Sequence, residues 1–206
     1  MSKFSLEEIN ETYVDVLQEL GNIGAGNAMT AVSSMLSIRV SMHVPKVELL
    51  EVSKLGDSLC QAEEIVVGIF LELSNDIEGS MMFLMKLESA QNLVNKLMMR
   101  DINYKADFDE MDLSALTEVG NIIAGSYLSS LSKMTNLVIS SSIPYIAVDM
   151  AASVLSVPAI QFGQFGDNAL LIETEFGDDV MIDGYFILMP EQDSYDKILT
   201  ALGLSM

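Results

Sequence analysis

The stretch ELGNIGAGNA, residues 19–28, places three glycines within ten residues. A phosphate-binding loop would need a strand directly before the glycines and a spacing of the G-x-G-x-x-G or G-x-x-x-x-G-K-[ST] type. Neither spacing is present, and the preceding residues FSLEEINETYVDVLQEL (4–20) carry apolar side chains at helical intervals. We therefore exclude a nucleotide loop and predict that the glycines lie inside one long helix.

This predicted helix begins at a capping box, in which Ser5 is followed three residues later by Glu8. Its apolar phase continues through Gly24 and Ala28 to Met35. A glycine inside a helix costs about 1 kcal/mol, and its commonest purpose is to let a second helix approach closely. Helix packing therefore explains the glycines.

Packing does not explain a row of polar residues on the same segment. Asp15, Glu19 and Asn22 stand at positions i, i+4 and i+7, which places them within about 60° of one another on a helix. The apolar stripe lies on the opposite side. We expect these three side chains to face solvent in a row.

Composition narrows the class of protein. The chain has 206 residues, half of them apolar, which is enough for one or two globular domains. Its 30 acidic and 10 basic residues give a net charge of −20, which argues against nucleic acid or an anionic membrane as partner. The start MSKFSLEE does not resemble a signal peptide, and no apolar run of about 20 residues is free of charge and proline. We expect a cytoplasmic protein without membrane insertion.

An internal repeat relates the two halves of the sequence. When the chain is shifted by 99 residues, LTEVGNIIAGS (116–126) falls under LQELGNIGAGN (17–27), so that Glu118 matches Glu19 and Asn121 matches Asn22. Pro144 matches Pro45 at the same shift.

The order of elements repeats as well. Each long helix is followed by a strand segment broken at the proline, a hairpin and a closing helix near residues 88–99 or 194–203. We expect one domain over 1–206, with a first half (1–100), an acidic linker (101–112) and a second half (113–206). About six extra residues in the second half fall around AASVLSVPAIQFGQFG (151–166). The predicted fold is α/β of the α+β type, with a pseudo-twofold sheet and both long helices on one face.

The repeated pattern resembles the [DS]-x3-E-x2-N-x22-P signature of the CheC-type chemotaxis phosphatases, a family that includes CheX and FliY, and is closest to CheC. It occurs in both halves, and the resemblance covers nearly the whole chain. The members of the signature are Asp15, Glu19, Asn22 and Pro45, and Ser114, Glu118, Asn121 and Pro144.

The resemblance implies a phosphatase that removes the aspartyl phosphate from the response regulator CheY and is stimulated by the deamidase CheD. It implies that the divalent cation, Mg²⁺, comes from the regulator and that this chain has no cofactor of its own. It also implies that Glu19 and Glu118 pair with a lysine of the regulator and so dock the helix. Asp15 and Ser114 would support docking, and Pro45 and Pro144 would be structural.

An asparagine suits the hydrolysis of an aspartyl phosphate. Phosphoryl transfer depends on positioning, and a carboxamide both accepts a hydrogen bond from the attacking water and donates another. It adds no negative charge beside the phosphate. We assign this role to Asn22 and Asn121. The alternatives are a solvated helix face without function and a binding module that sequesters CheD or phosphorylated CheY without turnover.

Other polar residues give weaker signals. The single Cys60 is expected to be a small buried hydrophobe rather than a nucleophile, and a reducing compartment suits it. His43 alone cannot build a zinc site. The acidic clusters at 106–112 and 173–183 lack the spacing of an EF-hand, so we interpret them as a solvated linker and a hairpin turn. We predict no metal site.

Overall fold

The computed structural model describes residues 11–36, 41–51, 54–162, 168–177 and 181–203. Its first half contains α1 (Glu11–Leu36), β1 (Ser41–Glu51), α2 (Leu55–Leu59), β2 (Ile65–Asn75), β3 (Gly79–Lys86) and α3 (Leu87–Leu97). Its second half contains α4 (Glu110–Thr135), β4 (Ile139–Ser141), β5 (Tyr145–Met150), α5 (Ala151–Phe162), β6 (Asn168–Gly177), β7 (Met181–Pro190) and α6 (Gln192–Ala201). The predicted capping box at Ser5 and Glu8 lies outside the described residues.

The described strands form one antiparallel sheet in the order β1-β6-β7-β3-β2-β4, with β5 also paired to β2. The two hairpins, β2–β3 and β6–β7, meet at the centre through β3 and β7, where Phe83 pairs with Phe186. Each outer strand pairs with the hairpin of the other half, β1 with β6 and β4 and β5 with β2. This order is the one expected for two similar halves around a pseudo-twofold axis, and it joins both halves in a single sheet.

Both faces of the sheet are buried at its central strands, whereas β4 and β5 are largely exposed. Side chains at alternate positions of the central strands point to opposite layers, because successive residues of a strand face opposite sides. Phe83 and Phe186 join the layer that contains α1 and α4, whereas Met82 and Ile187 join the layer that contains α2 and α5. The α+β class and the placement of the two long helices on one face are confirmed. The helical cover of the second face was not predicted, and α5 occupies most of the segment treated as an insertion.

The two long helices pack against each other across small residues. Asn27 Nδ2 of α1 donates to Ser130 Oγ of α4 at 2.9 Å. Gly24 lies against the ring of Tyr127, where an added Cβ would be 2.7 Å from Cε1 and 2.9 Å from Cγ. On α4, Gly120 is similarly close to Ile69 of the sheet. These glycines serve packing, as the sequence indicated.

The segment between the halves is more ordered than a solvated linker. The helix α4 begins at Glu110, inside the predicted linker 101–112, because Asp109 and Asp112 form a capping box. Asp112 is buried, and Arg100 Nη1 lies 2.9 Å from its Oδ1. The helix α4 thus begins three residues before the predicted start of the second half at residue 113, and this ion pair ties the end of the first half to the start of α4.

Candidate functional site

The polar residues singled out in the sequence occupy the outer faces of α1 and α4. The exposed side chains are Asp15, Glu19 and Asn22 on α1 and Ser114, Glu118 and Asn121 on α4. The opposite sides of the helices are buried through residues such as Leu20 and Leu116. Since the buried faces fix the rotation of both helices, the two polar rows are held outward. The expected exposure of both asparagines is confirmed.

The four central side chains are available to an external partner. Among the residues that the structure describes, Glu19, Asn22, Glu118 and Asn121 make no hydrogen bond or ion pair through their side chains. An intrahelical or interhelical structural role would require such contacts. Their polar ends are therefore free to bind another molecule.

The site on α4 is one wall of a groove of about 390 Å³. Glu118 and Asn121 line its helix side, and residues 141–144 line the other side. Pro144, which follows Asn121 by 23 positions in the sequence, is thus brought beside it. The structure joins three members of the second signature in one place.

The connection from α4 to this loop is fixed by hydrogen bonds. The helix ends at Thr135, and the capping residue Asn136 adopts a left-handed conformation with φ of 61°. The backbone N–H of Val138 then donates to Asp76 Oδ2 at 2.8 Å, and the N–H of Asp76 donates to the carbonyl of Val138 at 3.0 Å. These bonds turn the chain back onto the edge of β2, so that β4 leads to the groove.

In the first half, Pro45 lies within β1, where the pairing register with β6 shifts between His43 and Lys46. The predicted break in the strand at this proline is confirmed. The side chains of His43 and Pro45 lie outside the described part of the structure. The description of the first site therefore rests on the exposed side chains of Glu19 and Asn22.

Sequence reasoning missed four residues that line the second groove: Thr117, Ser141, Ser142 and Ile143. Three of them directly precede the signature proline. The run SSSIP (140–144) was available as a signal, since polar residues next to a motif residue on a turn are candidates for a site.

Cys60 is half-buried between α2 and β2, and burial raises the pKa of its thiol. A raised pKa lowers the thiolate fraction at neutral pH, which argues against a nucleophile. Within the described ranges no group of three histidine, cysteine, aspartate or glutamate residues is arranged to hold a metal ion. None of the helices described has the length and apolar character needed to cross a membrane.

We expect magnesium to bind this chain alone only weakly, because no group of carboxylates among the described residues is arranged to supply the ordered ligand shell of this cation. Isothermal titration calorimetry of the purified chain with MgCl₂ should give no saturable signal at micromolar concentrations. A stoichiometric, tight isotherm would contradict the prediction that the chain has no metal site of its own.

Known protein families and sequences resemble this chain over the segments that contain both candidate sites. A model of the CheC-like family matches residues 14–49 and 111–144, which contain both copies of the signature. The CheY-P phosphatase CheC of Bacillus subtilis (strain 168) is 35% identical over 208 residues, which cover 96% of this chain and 97% of the relative. The flagellar motor switch phosphatase FliY of the same organism is 29% identical over 129 residues, covering 62% of this chain and 33% of that protein.

Solved structures share the fold. The crystal structure of Thermotoga maritima FliY has a TM-score of 0.77 at 21% identity and covers 95% of this chain and 98% of its own. The structure of a CheX-CheY-BeF3-Mg+2 complex from Borrelia burgdorferi has a TM-score of 0.52 at 22% identity and covers 86% of this chain and 99% of the matched chain. At these identities the likeness concerns the fold.

Proposed function

The chain belongs to the CheC-like family, and from this premise we propose that it hydrolyses the aspartyl phosphate of a CheY-type response regulator at two sites. The observation that carries the proposal is the pair of exposed, unpartnered Glu/Asn couples on the described helices α1 and α4. The 35% identity with a CheY-P phosphatase over nearly the whole chain supports the reaction and its substrate.

In the proposed mechanism the response regulator docks on the outer face of each long helix. Asn22 or Asn121 enters the phosphorylated active site and orients a water molecule in line with the O–P bond that breaks. The amide oxygen accepts a hydrogen bond from the water, and the amide nitrogen remains free to donate another. The water oxygen forms the new bond to phosphorus, inorganic phosphate leaves, and the aspartate carboxylate of the regulator is restored.

Glu19 and Glu118 stand one helical turn before the asparagines on the same exposed faces. We assign them to an ion pair with a lysine of the regulator, which would set the depth and angle at which the amide enters. Asp15 and Ser114, one further turn away, are assigned to support docking. Because a charged residue at one site corresponds to a neutral one at the other, the two sites would differ in affinity and in salt dependence.

Among the described residues no group of three carboxylate, histidine or cysteine side chains is arranged to hold a cation. We therefore assign Mg²⁺ to the regulator, where it would neutralise charge on the phosphoryl oxygens. The structure from Borrelia burgdorferi is of a complex of CheX with CheY, BeF3 and Mg+2, which is consistent with a cation that accompanies the regulator.

We further propose that CheD binds this chain and stimulates the reaction, as the family resemblance implies. Adding CheD to the phosphatase assay should then increase turnover. The second candidate function is a binding module that sequesters CheD or phosphorylated CheY. This candidate is supported by the occurrence of the same fold in a FliG-FliM complex from H. pylori, which matches with a TM-score of 0.67 at 12% identity.

The decisive experiment is the decay of radiolabelled, phosphorylated CheY after the phosphodonor is removed. A catalytic amount of this chain, at roughly one hundredth of the CheY concentration, should accelerate the decay several-fold in the presence of Mg²⁺ because each site turns over repeatedly. A binding module would change the decay only when it is stoichiometric with CheY. Unchanged decay at catalytic concentration, with binding still measurable, would replace the phosphatase by the binding module.

A further inference from the structure

The loop between β4 and β5 forms the wall of the second groove that faces Glu118 and Asn121. At its tip Ile143 is 89% exposed, although it is a large apolar residue. Single exposed apolar residues are common on protein surfaces, so exposure alone assigns no role. Three further features set this side chain apart: the anchoring of its loop, its position in the groove and its recurrence in the repeat.

The loop is rigidly anchored to β2. The N–H of Ser142 donates to the carbonyl of Glu72 at 2.9 Å, and the N–H of Glu72 donates to Ser142 Oγ at 3.0 Å. Asn75 Nδ2 donates to Ser140 Oγ at 2.7 Å, so a second side-chain hydrogen bond holds β4, just before the loop, against β2. Ile143 is therefore presented from a loop that loses little conformational entropy when a partner binds.

Ile143 also lies close to the proposed chemistry. Ile143 and Asn121 line the same groove of about 390 Å³, so a protein whose phosphorylated residue reaches Asn121 must also meet this side chain. Glu118 is the only charged residue among the described lining. Glu118 can supply an ion pair to the regulator, and Ile143 can supply the apolar contact that an ion pair does not provide.

The position of Ile143 recurs in the sequence repeat. The shift of 99 residues places Val44 under Ile143, and both precede the signature proline. A β-branched apolar residue therefore stands at the same place in each copy of the signature. This recurrence is expected if the position contacts the same partner twice.

We propose that Ile143 is a docking residue of the second site, which packs against the surface of the phosphorylated response regulator and determines its affinity. This inference rests on the proposed function, because the partner is the substrate of that reaction. Ile143 has no part in the hydrolysis step, so its loss should raise KM and leave kcat unchanged.

The test uses an Asn22→Ala parent, in which turnover depends on the second site. We compare Ile143→Ala and Ile143→Val in this parent, with Ile160→Ala as a matched control. Ile160 is 76% exposed on α5, which packs on the opposite face of the sheet. Phosphate release is measured against the concentration of phosphorylated CheY at low salt and at about 0.5 M salt, where charge pairs are strongly screened.

We expect Ile143→Ala to raise KM about tenfold, since an isoleucine that becomes partly buried against the regulator loses up to about three apolar carbon groups of contact on truncation. Ile143→Val should raise KM about two- to threefold because it removes roughly one such group, and Ile160→Ala should leave KM unchanged. The ratio between variant and parent should persist at high salt, because apolar contact is not screened. These results together would support the proposal.

A KM within about twofold of the parent for Ile143→Ala would overturn the docking role, and so would a loss confined to kcat. If the Asn22→Ala parent has no turnover while the wild type is active, the second site does not hydrolyse the phosphate, and the proposal fails with it. If the wild type itself fails to accelerate decay, the proposed function fails instead. Titration of CheY activated with beryllofluoride then decides the docking role, since Ile143→Ala must still weaken binding about tenfold.

Discussion

Replacing both Asn22 and Asn121 with alanine is expected to lower the CheY-P phosphatase activity at least about 100-fold, close to the spontaneous decay rate, because the loss of a group that positions or stabilises the transition state typically costs this much at its own site. Each single variant should retain the activity that the unchanged site contributes, since the two exposed amides lie on separate helices. The measurement is the initial rate of phosphate release under saturating phosphorylated CheY.

The fold should survive these changes, since both side chains are exposed and such substitutions usually alter stability within about 0.5 kcal/mol. Asn27→Ala is a matched control on α1. It removes the hydrogen bond to Ser130 of α4 but no proposed catalytic amide, so activity should remain near that of the wild type. A folded double variant with wild-type activity would remove both asparagines from the mechanism.

An isosteric variant separates shape from charge. Asn22→Asp combined with Asn121→Asp keeps the volume and the acceptor oxygen but places a carboxylate beside the phosphoryl group. We expect activity as low as in the alanine double variant, because the added carboxylate repels the negatively charged phosphoryl group. Substantial activity of the aspartate variant would show that the amide nitrogen and neutrality are both unnecessary.

Gly24→Ala is expected to lower the free energy of unfolding by about 2 kcal/mol, because the added methyl group overpacks the contact between the long helices. Three atoms of the Tyr127 ring lie within 3 Å of the added Cβ, the farthest of them at 2.9 Å. That ring cannot retreat, since it packs against Phe186 at a centroid distance of 4.4 Å, and Phe186 in turn stacks on Phe83 at 4.8 Å. Overpacking of this kind costs up to about 3 kcal/mol, whereas the gain in helix propensity is about 1 kcal/mol.

Gly26→Ala is the matched control for this prediction. It lies on the same helix, is exposed, and has nothing within 4 Å of an added Cβ. It should stabilise the protein by up to about 1 kcal/mol through helix propensity alone. Urea unfolding followed by circular dichroism measures both variants. In a Tyr127→Leu background the penalty of Gly24→Ala should largely vanish, and a penalty of equal size there would contradict the proposed ring contact.

Gly24 also marks the point at which sequence periodicity stops being informative. Helical periodicity placed Gly24 on the apolar stripe, and the structure buries it. Periodicity could not identify its neighbour, because Tyr127 is distant in the sequence and reaches Gly24 only when the two helices pack. The apolar face of a helix follows from its own residues, whereas the partner of that face depends on the tertiary fold.

The second helical layer was missed for a related reason. The strand IVVGIFLEL contains an isolated glycine, Gly68, where an added Cβ would be 2.6 Å from Cγ1 of Val154 in α5. A glycine inside a strand often marks such a close approach. Together with the near-continuous apolar run GSMMFLM in β3, it was an unused signal for a sheet buried on both faces. The segment 151–162 has a weak amphipathic pattern, so its helix was not recognised.

The sequence by itself determined the two long helices, their outward polar rows, both hairpins and the recurrence of the Glu/Asn couple with a distant proline. These are local properties, since hydrophobic periodicity and spacing follow from the backbone geometry of a single element. Only the tertiary structure decided that β1 pairs with β6 of the other half, that Arg100 joins buried Asp112, and that Ile143 and Asn121 line the same groove. Each of these contacts joins different elements, and its formation depends on how the two halves bury their apolar faces against each other.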